Sequence, residues 1–149
     1  METIVANVGL ALMIGLSGGG SAIGLSMGGS AVLGMVKRRP EAFGNGLVLS
    51  ALPATQGLYG FVAFILYTAE LRSDLSLFDA SVILGAGLMV GLSCLISAIQ
   101  QGHVCANGIS ALASGHDTFG KTMILAAFPE FYAILSLVAA ILMKDLLAR

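Results

Sequence analysis

The chain has 149 residues, of which 57% are hydrophobic and 10% are charged, and its mean hydropathy is +0.96. Average soluble proteins carry roughly 25% charged residues, so this composition excludes an ordinary water-soluble globular domain. The net charge is −1 and the sequence has no long basic run, so it contains no basic segment that would bind the phosphates of nucleic acid. We therefore predict an integral membrane protein with lipid, and not nucleic acid, around it.

Four segments are long and apolar enough to cross a bilayer, which takes about 20 residues. They carry no formal charge, except for Glu130 in the fourth. The segments are residues 3–36, 42–69, 80–102 and 122–143. The pattern predicts an all-α integral membrane protein with four transmembrane helices, multi-pass in the cell membrane.

The charges between these segments predict the orientation, because Lys and Arg near membrane spans tend to stay in the cytoplasm. The Lys-Arg-Arg run at 37–39 lies between the first two segments, whereas the connection 70–79 is net acidic. We expect the short loops at 37–41 and 103–121 to be cytoplasmic and both termini to lie outside. Two cations near the C-terminus oppose this assignment.

The two halves of the chain are copies of one unit. Displacing the sequence by 76 positions aligns residues 21–23, Ser-Ala-Ile, with residues 97–99, and Pro53 with Pro129. An even number of spans separates the copies, so they run in parallel and can stack side by side around an axis normal to the membrane. The predicted units are a first transmembrane hairpin at 1–76 and a second at 77–149.

Spans one and three are rich in small residues, whereas spans two and four are bulkier. Small residues at four-residue spacing allow helix backbones to approach closely in a membrane. In span one they are Gly15, Gly19, Gly20, Gly24 and Gly28. Generic helix packing explains part of this pattern, and a ring of chains with a tight inner layer and a wider outer layer explains the division between spans.

Glu130 is the candidate ion-carrying residue. It lies nine residues after Lys121 and fourteen before Lys144, well inside the hydrocarbon at a rise of about 1.5 Å per residue. A charge there costs at least about 2.5 to 3.5 kcal/mol, so the carboxylate is expected to be neutralised by a proton or a bound cation. Its equivalent in the first hairpin is Ala54, so only the second hairpin carries an acid.

Polar groups that can supply oxygen ligands accompany this acid. Four residues of span two are spaced i, i+3, i+4 and i+7, which places them on one face of a helix. They are Leu52, Thr55, Gln56 and Tyr59. Span three adds Gln101. Carboxylate, amide, hydroxyl and backbone oxygens suit a hard cation, and a single charge suits a monovalent one. A polar network that only joins helices is the alternative.

Two prolines interrupt the outer spans. Pro53 and Pro129 lack an N–H, so they are expected to free the carbonyls of Leu49 and Leu125 one turn earlier. A freed carbonyl beside the carboxylate would add an oxygen ligand, although a simple kink also explains the prolines.

The chain resembles the membrane rotor proteolipids, subunit K, of bacterial V-type ATPases. Four features carry the resemblance: the duplicated hairpin, the Leu-Pro-Ala-Thr-Gln-Gly-Leu-Tyr-Gly run at 52–60, Gln101-Gly102 and Pro129-Glu130. The resemblance covers essentially the whole chain. It implies a homo-oligomeric ring that turns against a stator membrane subunit with a fixed Arg, with a central-stalk rotor subunit docked on the cytoplasmic side. It further implies a non-catalytic subunit without an organic cofactor, because other subunits hydrolyse the ATP.

The resemblance also implies a ligand set. In sodium-coupled members, Na⁺ is held by oxygens at the positions that here are Leu52 (main chain), Thr55, Gln56, Gln101 and Glu130, and Tyr59 matches the residue that bonds the carboxylate. The implied function is to carry Na⁺ between stator half-channels during rotation coupled to ATP hydrolysis or synthesis. The same role with H⁺ is the alternative, and a small secondary transporter or a purely structural membrane protein are two further classes.

Overall fold

A computed structural model describes residues 1–147; Ala148 and Arg149, at the end of the predicted second hairpin, lie outside the described residues. The described chain is helical with short connections. The helices are α1 Glu2–Val36, α2 Phe43–Ala51, α3 Ala54–Thr68, α4 Leu77–Ala113 and α5 Phe119–Lys144, with a 3₁₀ turn at Pro40–Ala42. With α2 and α3 taken together, four helical segments are long and apolar enough to cross a membrane. This confirms the predicted all-α membrane fold.

Helices α1 and α4 run parallel in direct backbone contact, and glycine sets their separation. A Cβ atom added to Gly20 would lie 2.6 Å from the Cα of Leu95, and one added to Gly91 would lie 2.5 Å from the carbonyl oxygen of Leu12. No side chain fits at either position without moving a helix. The small residues of spans one and three therefore form the close contact between the two hairpins.

Gly15 and Gly19 do not take part in that contact. A Cβ atom added at either position meets nothing within 4 Å among residues 1–147. Successive residues point about 100° apart around a helix, so Gly19 faces away from the surface that Gly20 presents to α4. Within one chain, the close approach expected from these glycines is therefore seen at Gly20, Gly24 and Gly28 and not at Gly15 and Gly19.

The second and fourth spans pack antiparallel on the outside of this pair. Helix α3 is attached to α1 through the N–H of Gly57, which donates to the hydroxyl oxygen of Ser21 at 2.7 Å. Helices α3 and α5 also meet, where the Tyr67 hydroxyl donates to the carbonyl oxygen of Ala140 at 2.6 Å. The hairpins thus contact each other in both layers.

Two apolar clusters lie at different depths. The cluster nearer the termini includes Met13, Ile83 and Val90, and the cluster nearer the short loops includes Leu49 and Ile109. The buried amide and hydroxyl side chains described below belong to neither cluster. The polar site therefore sits in an otherwise apolar core.

The two prolines act differently. Pro53 separates α2 from α3, whereas α5 continues unbroken through Pro129. The expected free carbonyl at Leu49 is absent, because that oxygen accepts a bond from the N–H of Leu52 at 3.4 Å. The chain tightens into an i to i+3 turn at the break, and this turn brings the carbonyl of Leu52 to the site.

The expected cytoplasmic loop at 103–121 is shorter than predicted. Helix α4 continues to Ala113, because the sequence after Gln101 stays free of formal charge as far as Asp117. The helix ends where Gly115 adopts a φ of 92° and the N–H of His116 donates to the carbonyl of Ala111 at 3.1 Å. This geometry is a glycine C-cap of the kind that commonly ends a helix.

At the opposite end, Lys144 forms an ion pair with Glu70 at 3.1 Å. One of the two cations that oppose the predicted orientation is thus paired with the acidic connection after α3.

Candidate ion-binding site

Glu130 lies on α5 where α3 and α4 both reach it. The Tyr59 hydroxyl of α3 donates to Glu130 Oε1 at 2.8 Å, and Gln101 Nε2 of α4 donates to Glu130 Oε2 at 3.1 Å. Each carboxylate oxygen therefore has its own donor, and the side chain is half-buried. These two bonds, one from each of two neighbouring helices, fix the position of the carboxyl group.

Two glutamines connect the acid to the first hairpin. Gln56 and Gln101 are both fully buried. Gln56 Nε2 donates to Gln101 Oε1 at 2.9 Å, and Gln101 Nε2 also donates to the carbonyl oxygen of Ala126 at 2.9 Å. An unpartnered amide in an apolar environment is costly, so the two side chains fix each other's position.

Three oxygen atoms gather at the break before α3. The hydroxyl oxygen of Thr55 lies 3.1 Å from the carbonyl oxygen of Leu52 and 3.3 Å from Gln56 Oε1. Hydroxyl, carbonyl and amide oxygens are ligands that hard cations prefer. The break at Pro53 is what allows a main-chain oxygen to join this group.

Ser97 belongs to the same network, although the patterns in the sequence did not single it out. Its side chain, 5% exposed, accepts a bond from Gln56 Nε2 at 3.1 Å and donates to the carbonyl oxygen of Pro129 at 2.8 Å. The available signal was the internal repeat, because its equivalent, Ser21, also joins an inner helix to an outer one. The serine is thus retained in both copies at a contact between layers.

The structure brings together all six residues that were selected from the sequence. They are Leu52, Thr55, Gln56, Tyr59, Gln101 and Glu130. They come from both hairpins, so the site exists only when the hairpins pack against each other. The equivalent of Glu130 in the first hairpin, Ala54, supplies no acid.

The surface beside the acid is aromatic. Phe128, Phe131 and Tyr132 are 60%, 61% and 70% exposed. In a membrane these side chains contact lipid or another protein, so Glu130 lies close to the outer surface of α5. Such a carboxylate must be neutral whenever it faces hydrocarbon.

The donor set fits a small monovalent cation. Over residues 1–147 there is no group of three or more His, Cys, Asp or Glu side chains, and the site combines one carboxylate with neutral oxygens. Na⁺ or H⁺ would neutralise that single charge, whereas a divalent cation would leave a positive charge in the membrane.

The sequence matches the ATP synthase C-subunit family twice, over residues 8–67 and 84–143. These two segments are displaced by 76 positions, the same displacement that aligns the halves of the sequence.

Individual proteins are also similar to the chain. Subunit K of the V-type sodium ATPase of Enterococcus hirae is 41% identical over 140 residues, which cover 94% of this chain and 90% of that protein. Subunit K of the A-type ATP synthase of Methanocaldococcus jannaschii is 40% identical over 142 residues, which cover 94% of this chain and 61% of that longer protein. The 16 kDa proteolipid of the human V-type proton ATPase is 28% identical over 125 residues, which cover 84% of this chain and 81% of that protein.

These matches span most of the chain and agree with its four membrane helices. The chain belongs to the ATP synthase C-subunit family, the ring-forming, non-catalytic membrane proteolipids of rotary ATPases.

Proposed function

We propose that this rotor proteolipid carries Na⁺, bound at Glu130, across the membrane of a V-type ATPase. The observation that carries the proposal is that Tyr59 and Gln101 both bond Glu130, while Gln56 links Gln101 to the oxygen atoms gathered around Thr55. The similar protein from Enterococcus hirae is named as part of a sodium ATPase, which supports Na⁺ as the ion.

The ligands we assign to Na⁺ are oxygen atoms of both hairpins. They are the carboxylate of Glu130, the amide oxygens of Gln56 and Gln101, the hydroxyl of Thr55 and the carbonyl of Leu52. Tyr59 holds the carboxylate without contacting the ion. Binding neutralises the charge, so that the occupied site can pass through lipid.

Release requires a competing positive charge. A stator subunit with a fixed Arg would attract the emptied carboxylate and stabilise it until it meets the other half-channel. Moving one charge against 100 mV costs about 2.3 kcal/mol. In a ring of given circumference, one acid per four helices moves fewer ions per turn than one acid per hairpin. More of the free energy of ATP hydrolysis is then coupled to each ion.

We further propose that residues 37–41 face the cytoplasm and that both termini lie outside. Arg39 donates to the Leu112 carbonyl at 3.4 Å and pairs with Glu41 at 2.7 Å, so the two short loops form one surface. A central-stalk rotor subunit would dock there.

H⁺ is the second candidate ion. The human relative is named as part of a proton ATPase, and a protonated Glu130 would be neutral without using the oxygens of Thr55 and Leu52. The two ions are distinguished by whether Na⁺ protects the carboxyl group.

The experiment is covalent labelling of the purified ring by a hydrophobic carbodiimide, which attacks protonated carboxyl groups. Labelling is followed by mass spectrometry across a pH series in NaCl and in KCl at equal ionic strength. We expect Na⁺ alone to slow the labelling of Glu130. Because Na⁺ and H⁺ compete for one carboxylate, the Na⁺ concentration for half-protection should rise as the pH falls.

Glu130→Gln is the matched control, because it keeps the size of the side chain and removes the reactive group. This variant should form the ring and remain unlabelled. Labelling that is fast but indifferent to Na⁺ would assign the role to H⁺. If Glu130 never reacts at any pH, the carboxyl group is not an exchanging ion carrier and the proposal is wrong.

A further inference from the structure

Helix α4 donates three side-chain hydrogen bonds to main-chain carbonyl oxygens of α5. The donors recur every four residues, so they share one face of α4, and the acceptors recur every three residues on α5. Two of the acceptors precede Glu130 and one follows it. The bonds run from Ser93 Oγ to Tyr132 at 3.0 Å, from Ser97 Oγ to Pro129 at 2.8 Å and from Gln101 Nε2 to Ala126 at 2.9 Å. We call these three bonds the α4 ladder.

The α4 ladder spans the weakest part of α5. Pro129 has no N–H to donate to the carbonyl of Leu125, so one helical hydrogen bond is missing beside Glu130. Helix α5 nevertheless continues unbroken through this position. The bonds from α4 hold the backbone on both sides of the missing one, at the point where the carboxylate is attached.

The first hairpin has no such ladder, although its sequence is related. The equivalents of the three donors are Ser17, Ser21 and Leu25. Ser17 donates to the carbonyl of Met13 in its own helix, Ser21 accepts a bond from the N–H of Gly57, and the leucine has no donor. Among residues 1–147, none of the three donates to a carbonyl of α2 or α3, and the outer helix is broken at Pro53. The ladder therefore accompanies the acid and the continuous outer helix.

Two members of the ladder also bond residues of the proposed Na⁺ site. Ser97 accepts a bond from Gln56 Nε2 at 3.1 Å, and Gln101 donates to Glu130 at 3.1 Å. Ser93 differs from both, because among residues 1–147 its hydroxyl bonds only α5. Any effect of Ser93 on the ion must therefore pass through the backbone of α5.

We propose that the α4 ladder clamps the backbone of α5 across Pro129 and that Ser93 is a positioning residue of the ion site, although it does not bond Glu130. The inference rests on the proposed Na⁺ site. A Na⁺ ion there contacts oxygen atoms of α3, α4 and α5 at the same time, so a shift of α5 weakens several contacts at once. A proton needs only one carboxyl oxygen, which moves with α5. Loss of the clamp should therefore weaken Na⁺ binding more than H⁺ binding.

Ser93→Ala removes the donor that bonds only α5. A single hydrogen bond between membrane helices has a modest effect, so the Na⁺ concentration for half-protection of Glu130 from the carbodiimide should rise about threefold to tenfold. The pH for half-maximal labelling in KCl should stay the same, because it reports H⁺ binding alone. An equal shift of both quantities would indicate general damage to the site and would overturn the positioning role.

Two variants serve as controls. Ser93→Thr keeps the hydroxyl, and its added methyl group has room within the chain because position 93 lines an open groove of about 430 Å³. It should retain the Na⁺ protection of the wild type. Ser17→Ala removes the equivalent hydroxyl of the first hairpin, which bonds only its own helix, and should leave Na⁺ protection unchanged. The mass of each complex in mild detergent shows that the ring has formed.

A double variant tests whether the clamp acts at the proline. Pro129→Ala restores an N–H and with it the helical bond to the carbonyl of Leu125. Helix α5 then depends less on the ladder, so Ser93→Ala should weaken Na⁺ protection less in this background than in the wild type. An equal effect in both backgrounds would show that Ser93 does not act through the weak point of α5.

Amide hydrogen exchange of the purified ring tests the clamp without any ion. A lost contact lowers the free energy of local opening, so the amides of residues 130–136 should exchange about three to ten times faster in Ser93→Ala than in the wild type or in Ser17→Ala. Unchanged exchange would show that the ladder does not clamp α5. Faster exchange with unchanged Na⁺ protection would make Ser93 a purely structural residue and would overturn its positioning role.

The Na⁺ dependence of the wild-type ring separates this inference from the proposed function. Labelling of the wild type that ignores Na⁺ would refute Na⁺ transport, whereas the exchange rates would still decide whether the ladder clamps α5. If Na⁺ protects the wild type and Ser93→Ala equally, the proposed function stands and the role of Ser93 is wrong.

Discussion

The Tyr59 hydroxyl donates to Glu130 Oε1 at 2.8 Å, across 71 positions of sequence. The bond joins the only acid of the second hairpin's membrane span to an outer helix of the first hairpin. Glu130 is therefore held by residues of both hairpins, and its position depends on their packing.

Tyr59→Phe removes one donor from the carboxylate and keeps the ring of the side chain. A hydrogen bond to a charged group contributes about 1.5 to 3 kcal/mol, so we expect the Na⁺ concentration for half-protection of Glu130 to rise roughly tenfold to a hundredfold. Tyr67→Phe is the control, because Tyr67 joins the same two helices through Ala140 and does not contact Glu130. If both variants shift Na⁺ protection equally, the Tyr59 bond is only structural.

Ser97→Ala tests the residue that sequence patterns did not reveal. It leaves Gln56 Nε2 and the carbonyl of Pro129 without one partner each. We expect the ring to lose about 1 to 3 kcal/mol of stability per subunit and Na⁺ protection to weaken several-fold. Ser21→Ala, at the equivalent repeat position, should reduce thermal stability while leaving Na⁺ protection unchanged.

The glutamine pair should show non-additive energetics. Gln56→Leu leaves the amide oxygen of Gln101 and the hydroxyl of Ser97 without their donor. Gln101→Leu leaves Gln56 Nε2 without one of its two acceptors and removes the donor to the carbonyl of Ala126 and to Glu130. Each single variant should lower the unfolding free energy by about 1 to 3 kcal/mol. The double variant should cost less than the sum, because residues in one network couple. Thermal unfolding of the purified ring measures all three, and strict additivity would contradict the pairing.

Gly20→Ala tests the contact between α1 and α4. The added methyl group would lie 2.6 Å from the Cα of Leu95, so a helix must move, at a cost of about 1 to 3 kcal/mol. We expect a lower thermal midpoint of the ring in detergent. Gly34→Ala adds the same atom where nothing lies within 4 Å and should leave the midpoint unchanged or slightly raised. Equal midpoints for the two variants would show that the helices are not in backbone contact at Gly20.

Part of this architecture follows from sequence because the relevant signals are local. An uncharged apolar segment of sufficient length has to cross the membrane as a helix, since the bilayer offers backbone groups no other partner. Glu130 stands out for the same reason, because a charge in hydrocarbon is expensive wherever the helix packs. The spacing of Leu52, Thr55 and Gln56 places them on one helix face before any tertiary contact is known.

Other features required the packed structure. Ser97 is one serine among many in the sequence, and only the approach of Gln56 and Pro129 gives it a role. The expected free carbonyl of Leu49 was wrong, because the chain closes an i to i+3 turn that uses it. Glycine spacing predicted close packing but did not distinguish Gly20, which contacts α4, from Gly19, which does not.

The membrane environment, the four spans, the duplication and the one acid can be read from the amino-acid sequence, because each depends on hydrophobicity or on identity along the chain. Helix packing selected the oxygen atoms that surround that acid and the glycines that face inward. Those properties depend on the separation and rotation of α1, α3, α4 and α5 relative to one another, and such quantities arise only when backbones pack within a few ångströms.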